Sequence, residues 1–373
     1  MPLAKKGVRC SMKQYIGCDT HLRYSIFRIL AEDGTMGPAM RIEHGGGELE
    51  RFLSQLAPGS PVALESTGSY GWLVQAIEAA GLEPHLGHAL EVKKRIGGTH
   101  KTDAVDAKGL AILLRNGTLP EVWIPPAGVR DQRGLVRSRL ALRKHQNSFK
   151  CRIHAVLSHY GRKQWVEDEE EITVRDWFTV KNRDQLMKAI EGLPAATREA
   201  TRQEWLVTEA LERHIVSLEL AIRARVGQLG WLKLLKSLPG VGEILGPTIW
   251  LEVGDIRRFA NAQHLAGYAG LVPRTYSSGG KTWRGSTAKS CNHYLKWAFV
   301  EAANVIAAQQ HKMQAKHPHV VELYRRVKGT TKLSGKAKVA VARHLAESTW
   351  WILTRKQVYR EPTSARVTSS NNG

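Results

Sequence analysis

The sequence predicts an N-terminal α/β domain followed by a longer, mainly helical part. Three observations carry this expectation. Strand-like and helix-like segments alternate as far as Pro125-Pro126, which is the pattern of an α/β layer structure. Beyond the two prolines, apolar residues recur at helical and heptad spacing. Finally, 55 Lys and Arg against 34 Asp and Glu leave a net charge of +21 over 373 residues. That excess speaks to partners rather than fold, with nucleic acid the first candidate and a membrane surface the second.

The elements follow in order. QYIGCDTH and YSIFRILAEDG read as two short strands separated by a polar turn. ELERFLSQL is amphipathic and helical, and SPVALESTGSY is a buried strand that ends at a polar tip. YGWLVQAIEAAG is a helix closed by Gly81, LEPHLGHA a short strand, and KTDAVDAKGLAILLRNG a helix with Gly117 as its stop. Together they place the α/β domain at about residues 12–125.

From Ala127 to Lys163 there are ten Lys or Arg residues and one acid, Asp131. Leu135, Leu142, Phe149 and Val156 recur every seven residues, with Ile153 and Tyr160 at the intervening spacing, and Arg139 and Gln146 interrupt the pattern. A second run, Leu211, Ile215, Leu218, Ile222 and Leu229, carries Arg225 in one slot. The two segments fit either an antiparallel pair or a dimer, and ordinary bundle helices as well as a coiled coil. EDEEE at 167–171 reads as a solvated acidic loop or helix start. Farther on, LKSLPGVGEILGPTIWLEVGDIRRF holds a hairpin, Pro239-Gly240-Val241-Gly242, between apolar helical stretches. KAKVAVARHLAESTWWILTRK is a basic amphipathic helix, and the terminal SARVTSSNNG is expected to be disordered.

Composition excludes several classes. No apolar run approaches the roughly 18 residues of a membrane-spanning helix, and MPLAKKGVRC lacks the apolar centre of a signal peptide. Cys10, Cys18, Cys151 and Cys291 form no CxxC pair, which argues for reduced thiols and against zinc knuckles. A cytoplasmic, soluble protein is expected.

Asp19 ends the strand YIGCD, and Glu65 ends VALE; strand termini are where an α/β sheet places its site. Asp103 and Asp106 stand three apart, so on a helix they share a face. Alone, that pair also fits a helix start, where acids favour the macrodipole. Two bare carboxylates there repel by roughly 0.2–0.5 kcal/mol, a cost that a divalent cation reverses in sign. The set of four oxygen-only ligands suits magnesium or manganese rather than zinc. LPGVG resembles a helix-hairpin-helix element, in which Gly240 and Gly242 let the backbone approach a phosphate. In AGYAGLVPRTYSSGGKTWRGSTAKSCNHYLKWAFVEAA, Ser277 and Ser278 precede two glycines and are flanked by Lys281, Arg284, Lys289 and Lys296. These fit either a serine nucleophile in a phosphate-orienting setting or a loop that only contacts phosphate.

IGCDTH, ALESTGSYGWLV, KTDAVDAKGLAILLRNG, LPGVGEILGPTIWLEVGDIRRF, AGYAGLVPRTYSSGGK and NHYLKWAFVEAA stand in a familiar order. The chain resembles the DEDD insertion-sequence transposases, the family called IS one-ten, related to the Piv-type DNA invertases, over roughly residues 14–355. It departs from relatives with Ala288-Lys289-Ser290-Cys291-Asn292 in place of a Thr-Lys-x-Gly-Asn stretch, and with Leu295-Lys296-Trp297 downstream in place of an arginine-bearing pair.

The resemblance implies a RuvC-like, RNase H-type domain at 12–125 and a basic helical coiled-coil region at 126–230. It further implies a mainly helical transposase domain at 231–360 with the catalytic serine, and a disordered tail at 361–373. It places a catalytic, magnesium- or manganese-binding tetrad on Asp19, Glu65, Asp103 and Asp106, and the nucleophile on Ser278, with Ser277 the alternative. It implies a phosphoserine intermediate, and as partners donor and target double-stranded DNA with a structured non-coding guide RNA. Nucleic-acid contacts are expected from Lys101, Arg137, Arg143, Lys144, Gly240, Gly242, Lys281, Arg284 and Lys289. A homodimer that assembles to a tetramer, in a prokaryotic cytoplasm at the nucleoid and away from membranes, completes the expectation. The competing functions are a RuvC-type nuclease or junction resolvase using carboxylates and water alone, and a non-catalytic nucleic-acid scaffold.

Overall fold

The computed structural model describes residues 13–68, 70–97, 103–161, 177–227, 230–278, 281–287 and 290–362, with residues 275–278 and 281–284 described by backbone alone. The expectations for Cys10, Lys101, Lys289, Leu229, the acidic run at 167–171 and the tail beyond residue 362 lie outside the described residues. The chain divides into two compact units, residues 1–127 and 128–373.

The first unit is built on one mixed sheet. Its strands are β1 (Gln14–Thr20), β2 (Tyr24–Ala31), β3 (Met40–Glu43), β4 (Pro61–Glu65), β5 (Glu83–Gly87) and β6 (Glu121–Val122), in the spatial order β3-β2-β1-β4-β5-β6. β1 runs antiparallel to β2 and parallel to β4; β4 and β5 are parallel, and β6 closes the edge antiparallel. That order is consistent with an RNase H-like domain. The helices are α1 (Glu48–Gln55), α2 (Tyr70–Ala79), α3 (Ala89–Ile96) and α4 (Asp103–Arg115).

Strand periodicity assigns the two faces. Ile16, Cys18, Val62 and Leu64 are buried in one core with Leu49 and Leu53 of α1 and Leu73 and Ile77 of α2. Ala63, one residue out of phase, is buried in a second core with Val92 of α3 and with Leu110 and Leu114 of α4. The strand is therefore apolar from Pro61 to Leu64 because it is covered on both sides, and its charge comes only at the end, at Glu65. β3, α3 and β6 are absent from the sequence reading for a physical reason. β3 and α3 each bury one residue, Ile42 and Val92, so neither carries a periodic signal, and β6 is two residues long.

Among the described residues, the second unit opens with the helices α5 (Ala127–His159), α6 (Arg183–Glu191) and α7 (Ala195–Val226). α5 and α7 run antiparallel: Arg152 meets Glu204 at 2.6 Å, Arg143 meets Glu212 at 2.8 Å and Arg139 meets Glu219 at 2.7 Å. The buried set of α5 differs from the expected leucine seam. Ile153 of the expected pattern is buried, but Leu135, Leu142 and Phe149 are half-buried, and Val136, Gln146 and Leu157 are buried in their stead. Gln146, read as an interruption, donates to Thr208 O at 3.2 Å and Glu212 Oε2 at 2.6 Å. Gln146 is thus partnered from α7, so it occupies the interior at little cost.

The remaining helices are α8 (Gly230–Lys236), α9 (Leu245–Val253), α10 (Ala262–Tyr268), α11 (His293–Ala308), α12 (Gln310–Lys316), α13 (Pro318–Thr331) and α14 (Ser334–Arg355). Their core is one apolar cluster that includes Ile249, Phe299, Ala302, Val341 and Leu345. Between α10 and α11 the chain forms a hairpin of β7 (Pro273–Ser278) and β8 (Lys281–Thr287), with Ser277 paired to Thr282 and Ser278 to Lys281. The segment read as a Ser/Gly loop is thus strand up to Ser278.

Candidate active site

The carboxylates of the first unit come together because of how α4 lies on the sheet. Gly17 occupies the middle of β1, and a Cβ there would overlap the Ala107 carbonyl oxygen and the Ala111 nitrogen of α4. Only glycine allows that approach. Asp19 lies two residues beyond Gly17 and Glu65 two beyond Ala63, so both share the face that α4 covers. The last registered pair between β1 and β4 is Cys18 with Leu64, so Asp19 and Glu65 follow side by side at the carboxyl ends of parallel strands. Asp103 and Asp106 stand in the first turn of α4.

Among the described residues, the tightest group of possible metal ligands is Asp19, His21 and Asp103, with one donor atom of each within 4.8 Å of the others. Glu65 and Asp106 are not part of this group at that distance, although the charge of Asp106 reaches Asp19. Burial pushes the Asp19 carboxyl above its usual range; His21 opposes the shift, and the charges of Asp103 and Asp106 add to it. The Asp19 side chain is 19% exposed and that of Asp103 46%, so the group is open to solvent on the Asp103 side. Tyr24 donates its hydroxyl to Asp103 Oδ2 at 3.3 Å. The sequence reading missed His21 and Tyr24. The signal for His21 lay in the quoted DTH string, two residues after a strand-end aspartate.

The donor chemistry fits a divalent cation. Carboxylates crowd one another with a raised Asp19 among them, and a nitrogen stands between two of them. Positive charge placed there relieves both the burial and the mutual repulsion.

In the second unit, Ser277 and Ser278 lie at the end of β7, and Lys281 begins β8 with Arg284 three residues later. Asn292 of the stretch that departs from relatives caps α11, accepting from Leu295 N at 2.9 Å. The same side chain donates to Glu252 Oε2 at 2.8 Å. Glu252 is fully buried and takes both arms of Arg137, at 2.8 and 2.9 Å. Burial alone would raise its carboxyl, but the hydrogen bonds of Arg137, the charge of Arg133 and the Asn292 hydrogen bond outweigh it and hold the group below the usual range. Arg137 is thus engaged by a buried carboxylate and stacks over Tyr294.

Arg143 and Lys144 line a cavity of about 1010 Å³ with Arg139, Lys150, Phe178 and Trp297. Lys150 sits 5.5 Å from the centre of the Phe178 ring. Burial lowers its ammonium below the usual range, Glu212 pulls it up, and Arg143 pushes it down. Cations beside aromatic faces suit nucleic acid. The LPGVG hairpin lies between α8 and α9. Gly240 has φ 76°, and a Cβ on it would overlap the Ala302 carbonyl oxygen of α11. Packing alone therefore requires that glycine. Gly242 has nothing within 4 Å of such a Cβ and lines a second cavity with Lys236 and Lys316.

Two family models match the chain. The model for DEDD transposases of the IS110 type, described as a transposase, matches residues 16–161. The model described as Transposase IS116/IS110/IS902 family matches residues 232–319. The chain is 25% identical over 354 residues to a probable family 20 transposase of Pseudomonas aeruginosa, covering 92% of this chain and 98% of that one. It is 24% identical to the transposase for insertion sequence element IS1111A of Coxiella burnetii, covering 80% of this chain and 79% of the relative. A short stretch of 46 residues, 12% of this chain and 14% of the relative, is 46% identical to the pilin gene-inverting protein of Moraxella bovis. Among the described residues, no helix is long and apolar enough to cross a membrane.

Proposed function

The chain belongs to the IS110 family of DEDD transposases and is a DNA transposase enzyme; from that premise we propose that it recombines DNA through a phosphoserine intermediate, with a divalent cation at the Asp19 group. The observation that carries this reading is the gathering of Asp19 and Asp103 by β1 and α4, in a chain that also carries the Ser-Ser-Gly-Gly hairpin. Asp19 and Asp103 would hold the ion, with Glu65 and Asp106 bordering it. Bound there, magnesium or manganese supplies a Lewis acid that stabilises charge on the phosphate oxygens.

In the proposed step, Ser278 Oγ attacks the scissile phosphorus. An Oγ–P bond forms as one P–O ester bond breaks; the serine loses its proton and the released DNA oxygen gains one. Rejoining reverses the exchange, with a hydroxyl from another DNA end displacing the serine. Ser277 is the alternative nucleophile. Lys281 and Arg284, two strand positions from the glycine pair at most and four at least respectively, have the charge to orient the phosphate. The net charge of +21 and the cationic, aromatic cavity beside α5 support donor DNA, target DNA and a structured guide RNA as partners. The Moraxella bovis relative is named for inverting a pilin gene, which accords with a DNA-rearranging reaction. Exchange between two duplexes calls for several active sites, hence a dimer that assembles to a tetramer.

The test is a denaturing gel of protein, donor DNA, magnesium and RNA transcribed from the flanking element. A protease-sensitive covalent adduct that disappears in Ser278→Ala supports the proposal. Its loss in Ser277→Ala alone moves the nucleophile by one residue. Cleavage with no adduct in the wild type points to water as nucleophile and rejects the phosphoserine.

A further inference from the structure

One member of the Asp19 group is not a carboxylate. His21 follows the end of β1, and a two-residue turn, Leu22-Arg23, leads to Tyr24; the His21 backbone N–H closes the hairpin by donating to Tyr24 O at 2.9 Å. The imidazole lies against the Tyr24 ring, centroids 4.6 Å apart. Tyr24 is itself held by its hydrogen bond to Asp103 and by the Arg41 guanidinium 3.7 Å from its ring centre. These contacts fix the ring with Nε2 at 3.0 Å from Asp103 Oδ2 and 3.3 Å from Asp19 Oδ2.

Nε2 is shielded from solvent and faces both carboxylate oxygens at ion-pair distance. The same spacing suits a cation shared by all three side chains. In an octahedral shell with bonds of about 2.1 Å, neighbouring ligand atoms lie about 3.0 Å apart. Nε2 stands at that separation from Asp103 Oδ2 and slightly beyond it from Asp19 Oδ2.

We propose that His21 is a direct nitrogen ligand of the cation at this site, making it a mixed nitrogen–oxygen centre that takes Mn²⁺ in preference to Mg²⁺. Mg²⁺ demands oxygen ligands and keeps its waters, whereas imidazole belongs to the ligand set of transition metals. The proposal adds one nitrogen to the four carboxylates read from the sequence. The inference rests on the metal-site reading above, and its test separates the two.

Metal-free, full-length protein is titrated with MnCl₂. Binding is followed by loss of the free-ion electron paramagnetic resonance signal, and the bound ion is probed by electron spin-echo envelope modulation. The expected result is a ¹⁴N modulation from a directly bound imidazole in the wild type. His21→Ala and His21→Gln should both abolish it and weaken Mn²⁺ about tenfold or more, while Mg²⁺ binding, read by competition, changes far less. Circular dichroism checks that each variant is folded, and the glutamine preserves a polar side chain at the hairpin. Bound Mn²⁺ without ¹⁴N modulation, or with unchanged affinity in both variants, overturns the role of His21 and leaves the carboxylate site standing. Failure of the wild type to bind Mn²⁺, with Asp103→Asn behaving identically, overturns the metal site and this inference together.

Discussion

Gly17 governs the candidate metal centre without touching an ion. Its missing side chain lets the backbone of α4 at Ala107 and Ala111 settle on β1, which brings the first turn of that helix to Asp19. Gly17→Ala is expected to destabilise the first unit by roughly 3 kcal/mol, since the obstacle is backbone that cannot change rotamer. The measurement is a thermal melt, accompanied by loss of divalent-cation binding. Glu252 plays the corresponding part in the second unit, tying α5, α9 and the cap of α11 to one buried carboxylate. Glu252→Gln leaves Arg133 and Arg137 without their counter-charge and is expected to cost about 3–5 kcal/mol at neutral pH. Because the folded carboxyl is held below the usual range, its contribution is complete above the ordinary glutamate value and is lost as pH falls through the folded one. The stability gap between wild type and Glu252→Gln should therefore narrow on acidification, as denaturant melts at several pH values would register.

At the scale of elements, charge on α5 divides into two kinds. Arg137 is engaged by the buried Glu252, whereas Lys144 and Lys150 line the large cavity. Lys150→Ala is expected to weaken nucleic-acid binding similarly for all sequences and to reduce the slope of log K against log salt by about one. Arg137→Ala should instead lower the melting temperature and leave the salt slope unchanged. Titrations at several salt concentrations, run beside melts, distinguish the two. Sequence inspection cannot make this division, because both kinds are arginines and lysines on one helix. What separates them is a partner helix far along the chain. The same reason explains the seam of α5: Gln146 lies inside because α7 supplies Glu212 and the Thr208 carbonyl, while the leucines that dominate the pattern are only half-buried. The hairpin β7–β8 was closer to being legible, since Gly-Gly between short polar runs is a known hairpin signal; its serines drew attention to chemistry instead.

At the scale of the whole molecule, the two units divide near Ala127, close to the proline pair. The candidate metal-site residues Asp19, Glu65, Asp103 and Asp106 lie in the first unit, and the candidate nucleophiles Ser277 and Ser278 in the second. Divalent cation should thus raise the stability of one unit selectively, by about 2.7 kcal/mol at a hundredfold excess over the dissociation constant. Calorimetry should show this as an upward shift of one transition, absent in Asp103→Asn.

Much of this organisation is local and was legible in the sequence. Alternating strands and helices, the stops at Gly81 and Gly117 with φ of 73° and 64°, and the strand-end positions of Asp19 and Glu65 follow from propensity and turn geometry within a few residues. The net charge is additive over the chain and needs no structure at all. Tertiary structure alone decided what depends on partners distant in sequence. It joined Asp103 to Asp19 across 84 positions through the close approach at Gly17, turned His21 toward both, assigned Gly240 to packing against Ala302, and gave Arg137 to Glu252. A side chain's type sets what it can bind; only the packing of whole elements sets what it meets.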